Sequence, residues 1–165
     1  MSGFGPTYKR LQTIHERMPD FPVEPMRLMR MTFHLQKALK DAANAALKKH
    51  ELVDANWMVL SVLYGSEDES STASNLGEAC LEKPANLTRV CDDLDARGLI
   101  KRGVRAGDRR CVMISLTDSG RALIERAMPD VTQHIARAYQ DFTSTEMAKM
   151  EKMGERLLTN LLSLD

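Results

Sequence analysis

The chain has 165 residues, 43% of them hydrophobic and 28% charged, with nine glycines, six prolines and a formal net charge of zero. This describes one ordinary domain, long enough to bury a core, and excludes collagen-like, low-complexity and intrinsically disordered classes. No run of about 18 apolar residues is present, so no membrane span is expected, and the opening MSGFGPTYKRLQ has no apolar stretch of the kind a secretory signal needs. The three cysteines, Cys80, Cys91 and Cys111, are an odd number and form no CxxC pair, which points to a reduced, cytoplasmic protein. Neutrality conceals segregation: residues 51–82 hold seven Asp/Glu and no Lys/Arg, whereas residues 83–110 hold eight Lys/Arg against four Asp/Glu. A local basic segment is enough for a nucleic-acid contact.

Residues 1–20 read as a semi-independent arm, partly helical through Leu11, Ile14 and Met18, with Pro19, Pro22 and Pro25 punctuating its end. A long helix is expected over about 25–50, where Leu28, Met31, Leu35, Leu39, Ala42 and Ala46 form a stripe. A second starts at Asp54, read as its N-cap, and runs to Gly65. After the acidic loop GSEDESS, a short helix covers roughly 72–80. Pro84 then opens another helix that turns Leu87, Val90, Cys91 and Leu94 inward and ends at Arg97-Gly98. The period next changes to two: residues 99–102 and 111–116 read as strands around a basic tip, 104–110. Thr117 or Asp118 caps a helix with Leu123, Ile124, Ala127 and Val131 inward and Pro129 as an expected kink. The sequence TSTE opens the last helix as a capping box, with Met150, Met153, Leu157, Leu158, Leu161, Leu162 and Leu164 on its apolar face.

The expected fold is mainly α (α+β): a winged helix-turn-helix with a two-stranded wing, flanked by long terminal helices. The arm is residues 1–20, the winged helix-turn-helix 54–118, and the flanking helices 21–53 and 119–165. The flanking helices carry more apolar surface than one chain of this length covers, so pairing with a second copy is expected.

The segment NLTRVCDDLDARGLIKRGVRAGDRRCVMISLTDSG, residues 86–120, resembles the MarR family of bacterial regulators. The matching features are Leu87-Thr88-Arg89-Val90, the run from Asp93 to Arg102, Asp108-x-Arg110, Leu116-Thr117 and Gly120. The helix order extends the resemblance over about 22–163. Asp20-Phe21-Pro22, His34-Leu35-Gln36 and the Asp-Arg-Arg-Cys wing look like the EmrR subgroup, repressors of multidrug efflux operons that respond to small hydrophobic or phenolic compounds. The resemblance implies a homodimer on a palindromic double-stranded operator, no cofactor and a small aromatic or hydrophobic effector.

A recognition helix offers its N-terminal side chains to the base edges of the major groove. Here these are Lys83, Ala85, Asn86, Thr88 and Arg89. Asn86 suits adenine, Arg89 guanine or a phosphate, and Ala85 a thymine methyl. An ordinary solvated helix surface is the competing reading. The wing tip favours DNA, because Arg105, Arg109 and Arg110 suit a narrow minor groove. The resemblance assigns Asp108 to orienting Arg110. Arg97, Lys101 and Arg102 read as phosphate contacts or solvated charges. Glu82 departs from a basic surface: it either caps the helix or weakens non-specific binding.

The family's effector pocket lies between dimerisation helices and winged domain, which maps here to Met31, His34, Leu35, Trp57 and Met58. A core stripe is the competing reading for these residues. A redox-sensing regulator and a winged-helix protein-interaction module are the alternative functions. Inert buried thiols argue against the first, and the arginine-rich tip against the second. No Gly-rich phosphate loop, GxSxG or clustered His/Cys spacing supports an enzyme or a metal site. Replacing Arg110 tests the wing. Arg110→Ala is expected to weaken operator binding by about tenfold or more without unfolding the protein; unchanged affinity at the same salt overturns the wing assignment.

Overall fold

The computed structural model describes residues 4–105 and 108–164, with the side chains of 105–111 outside the description. Its elements in chain order are α1 (Gly5–Arg17), α2 (Val23–Leu47), a 3-10 turn (Lys48–His50), α3 (Asp54–Tyr64), β1 (Ser70–Thr72), α4 (Ala73–Cys80), α5 (Pro84–Ala96), β2 (Ile100–Arg105), β3 (Asp108–Leu116), α6 (Asp118–Ala138) and α7 (Ser144–Leu162). The mainly helical winged fold is as expected, but the wing sheet has three strands, in the order β1-β3-β2, rather than two. The added strand pairs Ser70, Ser71 and Thr72 antiparallel with Ser115, Ile114 and Met113. Three residues are too few to display an alternation, so nothing local announces it. Glu69 turns left-handed, at φ 49°, and its carbonyl accepts the Leu116 amide at 2.9 Å, which brings the acidic loop alongside β3.

Capping chemistry sets most helix starts. Thr72 ends β1 and caps α4, its hydroxyl accepting the Asn75 amide. Thr117 caps α6 through the Gly120 amide, which settles the Thr117/Asp118 alternative. Thr143 and Glu146 form the expected capping box of α7. Asp54 corrects a different expectation: it is the first residue of α3, not its cap. Its amide donates to the Asn44 side chain of α2 at 2.8 Å, so a distant residue does the capping. The Lys40 ammonium lies 3.0 Å from the Asp54 carboxylate and reinforces the same corner.

The core gathers Leu47, Leu60, Leu63, Leu76, Leu94, Ile100 and Ile124, all fully buried, from both ends of the chain and the winged middle. It sits where the C-terminal end of α2 and the first half of α6 meet the winged helix. The two flanking helices are tied again by Asp130, which His50 meets at 2.7 Å and Lys49 at 2.8 Å. α6 continues through Pro129. The arm is more ordered than expected: α1 is a 13-residue helix against α2 that buries Thr7 and Leu11, with Arg27 5.9 Å from the Tyr8 ring. Beyond the core, Leu28 and Leu35 of the α2 stripe are at least half exposed, and α7 buries none of its residues.

Where α6 leaves the wing, a Cβ on Gly120 would lie 2.1 Å from the Leu99 carbonyl oxygen. The obstructing atom is backbone, which cannot swing aside as the end of a side chain could. Gly120→Ala is therefore expected to destabilise the fold by roughly 3 kcal/mol, the upper part of the overpacking range. Gly103→Ala, whose Cβ meets nothing within 4 Å, is the control, and denaturant unfolding of the two variants is the measurement.

Candidate nucleic-acid interface

The helix-turn-helix is built from α4 and α5 across a tight turn. Leu81 ends α4 in a left-handed conformation, at φ 55°, and the Glu82 amide returns to the Gly77 carbonyl at 2.9 Å. Pro84 then starts α5 at a position where its missing N–H costs nothing. Leu87, Val90, Cys91 and Leu94 recur at helical spacing and are all buried. Their burial fixes the roll of the helix. A buried Asn56 of α3 adds a polar tie, donating its amide to Asp93 at 3.0 Å.

That roll turns Lys83, Ala85, Thr88 and Arg89 to the exposed side, with Asn86 half-buried beside them. All five recognition-helix positions are thus gathered on about two turns. They are not independent. Asn86 donates its amide nitrogen to Glu82 at 2.5 Å and accepts from Arg89 at 2.9 Å, forming a chain of three side chains. Thr88 donates its hydroxyl to the Pro84 carbonyl at 2.9 Å. The sequence offers Glu82 as a helix cap or as a charge that weakens non-specific binding; the N-cap of α5 is instead Lys83, with no side-chain cap bond, and the Glu82 carboxylate meets the Asn86 side chain. The four-residue step to Asn86 and the further three to Arg89 are the signal that could have joined them.

The wing residues are only partly visible. The backbone of β2 pairs antiparallel with β3 from Ile100↔Leu116 to Val104↔Val112. The side chains of Arg105, Asp108, Arg109 and Arg110 lie outside the described residues. Two other basic residues, expected as phosphate contacts or solvated charges, are engaged in surface ion pairs. Arg102 pairs with Asp92 at 2.6 Å, and Arg97 reaches Asp93 at 3.4 Å and the Glu51 carbonyl at 3.0 Å. Both guanidiniums brace α5 against its surroundings. Lys101 stays exposed. The inner edge of the wing is anchored by Arg121 of α6, whose Nε meets the Glu69 carboxylate at 2.9 and 3.1 Å, with a further contact through Nη2. This guanidinium holds the Glu69 carboxyl below its ordinary value of 4.5.

The five effector-pocket residues differ widely in exposure. Trp57 is 8% exposed and belongs to the core, so it is a packed wall rather than an open one. Met58 is half-buried against that core. Met31 is half-buried on α2, while Leu35 is 50% exposed. His34 is engaged by α1: its Nε2 is 3.5 Å from the Thr7 hydroxyl, and its ring meets Phe4 edge-on at 5.3 Å. An open cleft of about 740 Å³ between α4 and α5 involves none of the five.

Burial pushes the Cys80 thiol up to about 11, with Cys91 and Glu82 adding to the shift, and burial raises Cys91 as well. Neither is a thiolate near neutral pH, which disfavours both as redox sensors. The side chain of Cys111 lies outside the described residues.

Comparison with known proteins places this geometry. A model described as MarR family matches residues 50–110, which span the winged middle. The chain is 29% identical over 160 residues to the transcriptional repressor MprA of Escherichia coli K12, covering 97% of this chain and 91% of that protein. Among solved structures, a mutant MarR from Escherichia coli complexed with operator DNA superposes with a TM-score of 0.73 at 22% identity, over 87% of this chain and 96% of that one. CouR from Rhodococcus jostii RHA1 bound to p-coumaroyl-CoA superposes with a TM-score of 0.71 at 21% identity, over 81% and 91%.

The Glu69–Arg121 pair generates a pH prediction. A carboxylate held below its ordinary value contributes stability that is fully present above about pH 4.5 and is lost as pH falls through the lowered value. Glu69→Gln is expected to flatten the loss of thermal stability between about pH 5 and 3 relative to the unaltered protein. Parallel acid profiles for the two proteins overturn the assignment.

Proposed function

We propose that this chain, which belongs to the MarR family of transcriptional regulators, acts in the cytoplasm as a homodimeric repressor on a palindromic operator and is released by a small hydrophobic or phenolic compound. The observation that carries the DNA reading is the roll of α5. Burial of Leu87, Val90, Cys91 and Leu94 turns Lys83, Ala85, Asn86, Thr88 and Arg89 to one outer face. A helix of this diameter enters the major groove, and those residues meet base edges and phosphates. Arg105, Arg109 and Arg110 of the wing reach the adjacent minor groove, with Asp108 orienting Arg110.

The dimer reading rests on α7. Its 19 residues include none that are buried, and Met150, Met153, Leu157, Leu158, Leu161 and Leu162 are between 46% and 74% exposed. A contiguous apolar face of this kind marks an interface. The exposed Leu28, Phe33 and Leu35 of α2 add to that surface. On this reading residues 21–53 and 119–165 are dimerisation helices, residues 54–118 read DNA, and the arm packs over the pairing. Two copies of α5 then sit one DNA turn apart, about 34 Å.

The effector reading takes its support from the CouR structure and its bound p-coumaroyl-CoA. The proposed pocket lies between α2, α3 and α6, with Met31, His34, Leu35 and Met58 on its accessible side and Trp57 behind. Methionines repack around varied ligands. A compound seated there acts only through its affinity difference between the DNA-bound and released forms.

The test is a salt titration of binding to the promoter DNA upstream of its own gene, with and without salicylate-like phenols. Affinity is expected to fall by about 10³-fold or more between 50 and 200 mM salt, if roughly six phosphates are contacted, and a phenol is expected to weaken it further. Relief by an oxidant alone moves the switch to cysteine chemistry. No binding at low salt leaves a protein-interaction module.

A further inference from the structure

The recognition face holds an acid that a DNA-binding surface has no electrostatic reason to keep. Glu82 immediately precedes the Lys83 N-cap of α5. Its carboxylate accepts the Asn86 amide nitrogen at 2.5 Å, and the Asn86 amide oxygen accepts from an Arg89 terminal nitrogen at 2.9 Å. The chemistry at each end dictates which way the Asn86 amide faces. A carboxylate only accepts and a guanidinium only donates, so nitrogen must face Glu82 and oxygen must face Arg89. Reversing the amide would set two acceptors together at one end and two donors at the other.

We infer that Glu82 is a positioning residue for base recognition: it orients Asn86, and Asn86 in turn holds the Arg89 guanidinium on the DNA-facing side of α5. This rests on the DNA-binding function proposed above. It also changes the role of Asn86. Beside these two bonds Asn86 keeps a second N–H and a second oxygen lone pair; in the inferred role it serves as the link, and the base contact is made by Arg89. One N–H of Arg89 goes to Asn86, and a guanidinium has five. The rest suffice for the two-pronged contact with guanine that arginine makes in the major groove. Arg89 is otherwise a long side chain on an exposed surface, with many rotamers to lose on binding. Holding it in place beforehand reduces that loss.

The negative charge of Glu82 has a separate effect: close to phosphates it disfavours binding at every sequence equally. Positioning and charge are separable by substitution. Glu82→Gln keeps an acceptor oxygen for Asn86 and removes the charge, whereas Glu82→Ala removes both.

The experiment selects binding sites from a pool of randomised DNA duplexes, using the full-length protein and its E82A, E82Q, N86A and R89A variants, with thermal unfolding recorded for each. The unaltered protein is expected to enrich a two-fold symmetric site. R89A, N86A and E82A are expected to lose about tenfold discrimination at one and the same base pair of each half-site. E82Q is expected to retain that preference while binding all sequences more tightly. Base preferences that survive E82A, or an E82Q that loses the preference along with E82A, overturn the positioning role alone. Failure of the unaltered protein to enrich any site removes the DNA-reading premise, and the inference with it.

Discussion

One junction decides how the reading helix, the wing and the long helix α6 stand to each other. Thr117 caps α6 through the Gly120 amide, donates its hydroxyl to the Gly98 carbonyl at 2.7 Å, and donates its own amide to the Leu99 carbonyl at 3.1 Å. Gly98 turns left-handed at φ 68° to end α5, and the Leu99 amide returns to Leu94. The bare Cα of Gly120 lets α6 start against the Leu99 carbonyl, a distance any side chain would forbid. Four elements therefore meet within a few residues, and their relative angles are set by backbone hydrogen bonds rather than by adaptable side chains.

Electrostatics follows from this frame. The net charge of zero hides a division of labour in which many acids are paired with cations. Glu69 holds Arg121, Asp54 holds Lys40, and Asp130 holds Lys49 and His50. Asp92 and Asp93 take the guanidiniums of Arg102 and Arg97. Within the acidic stretch 51–82 it is Asp54 and Glu69 that are held in such pairs. Most of these pairs are partly exposed, so each contributes little to stability alone, and their effect is to orient elements.

The two ends of the chain have another logic. α7 is amphipathic, well capped by Thr143 and Glu146, and buries nothing. In the proposed dimer a partner covers its apolar face and that of α2, and the stability of this half depends on protein concentration. The winged half shares its core with the C-terminal end of α2 and the first half of α6.

How much could be read beforehand divides along the range of the interactions. The helices, the capping box at Thr143 and the apolar stripe that sets the roll of α5 are local patterns, so periodicity and capping chemistry indicated them, while the cap of α6 stayed open between Thr117 and Asp118. The grouping of Lys83, Ala85, Asn86, Thr88 and Arg89 was legible for the same reason: four buried residues at helical spacing leave only one outer face. What depends on distant partners was not legible. β1 exists because residues 70–72 find 113–115. Asp54 needs Asn44, Arg97 needs Glu51, and Arg121 needs Glu69, 52 positions away. Trp57 is buried because α3 is enclosed from several sides at once. The sequence by itself determined which surfaces exist on each helix. Only the tertiary structure decided which charges are engaged and which apolar faces are covered, because pairing is a property of two segments and a local pattern describes one.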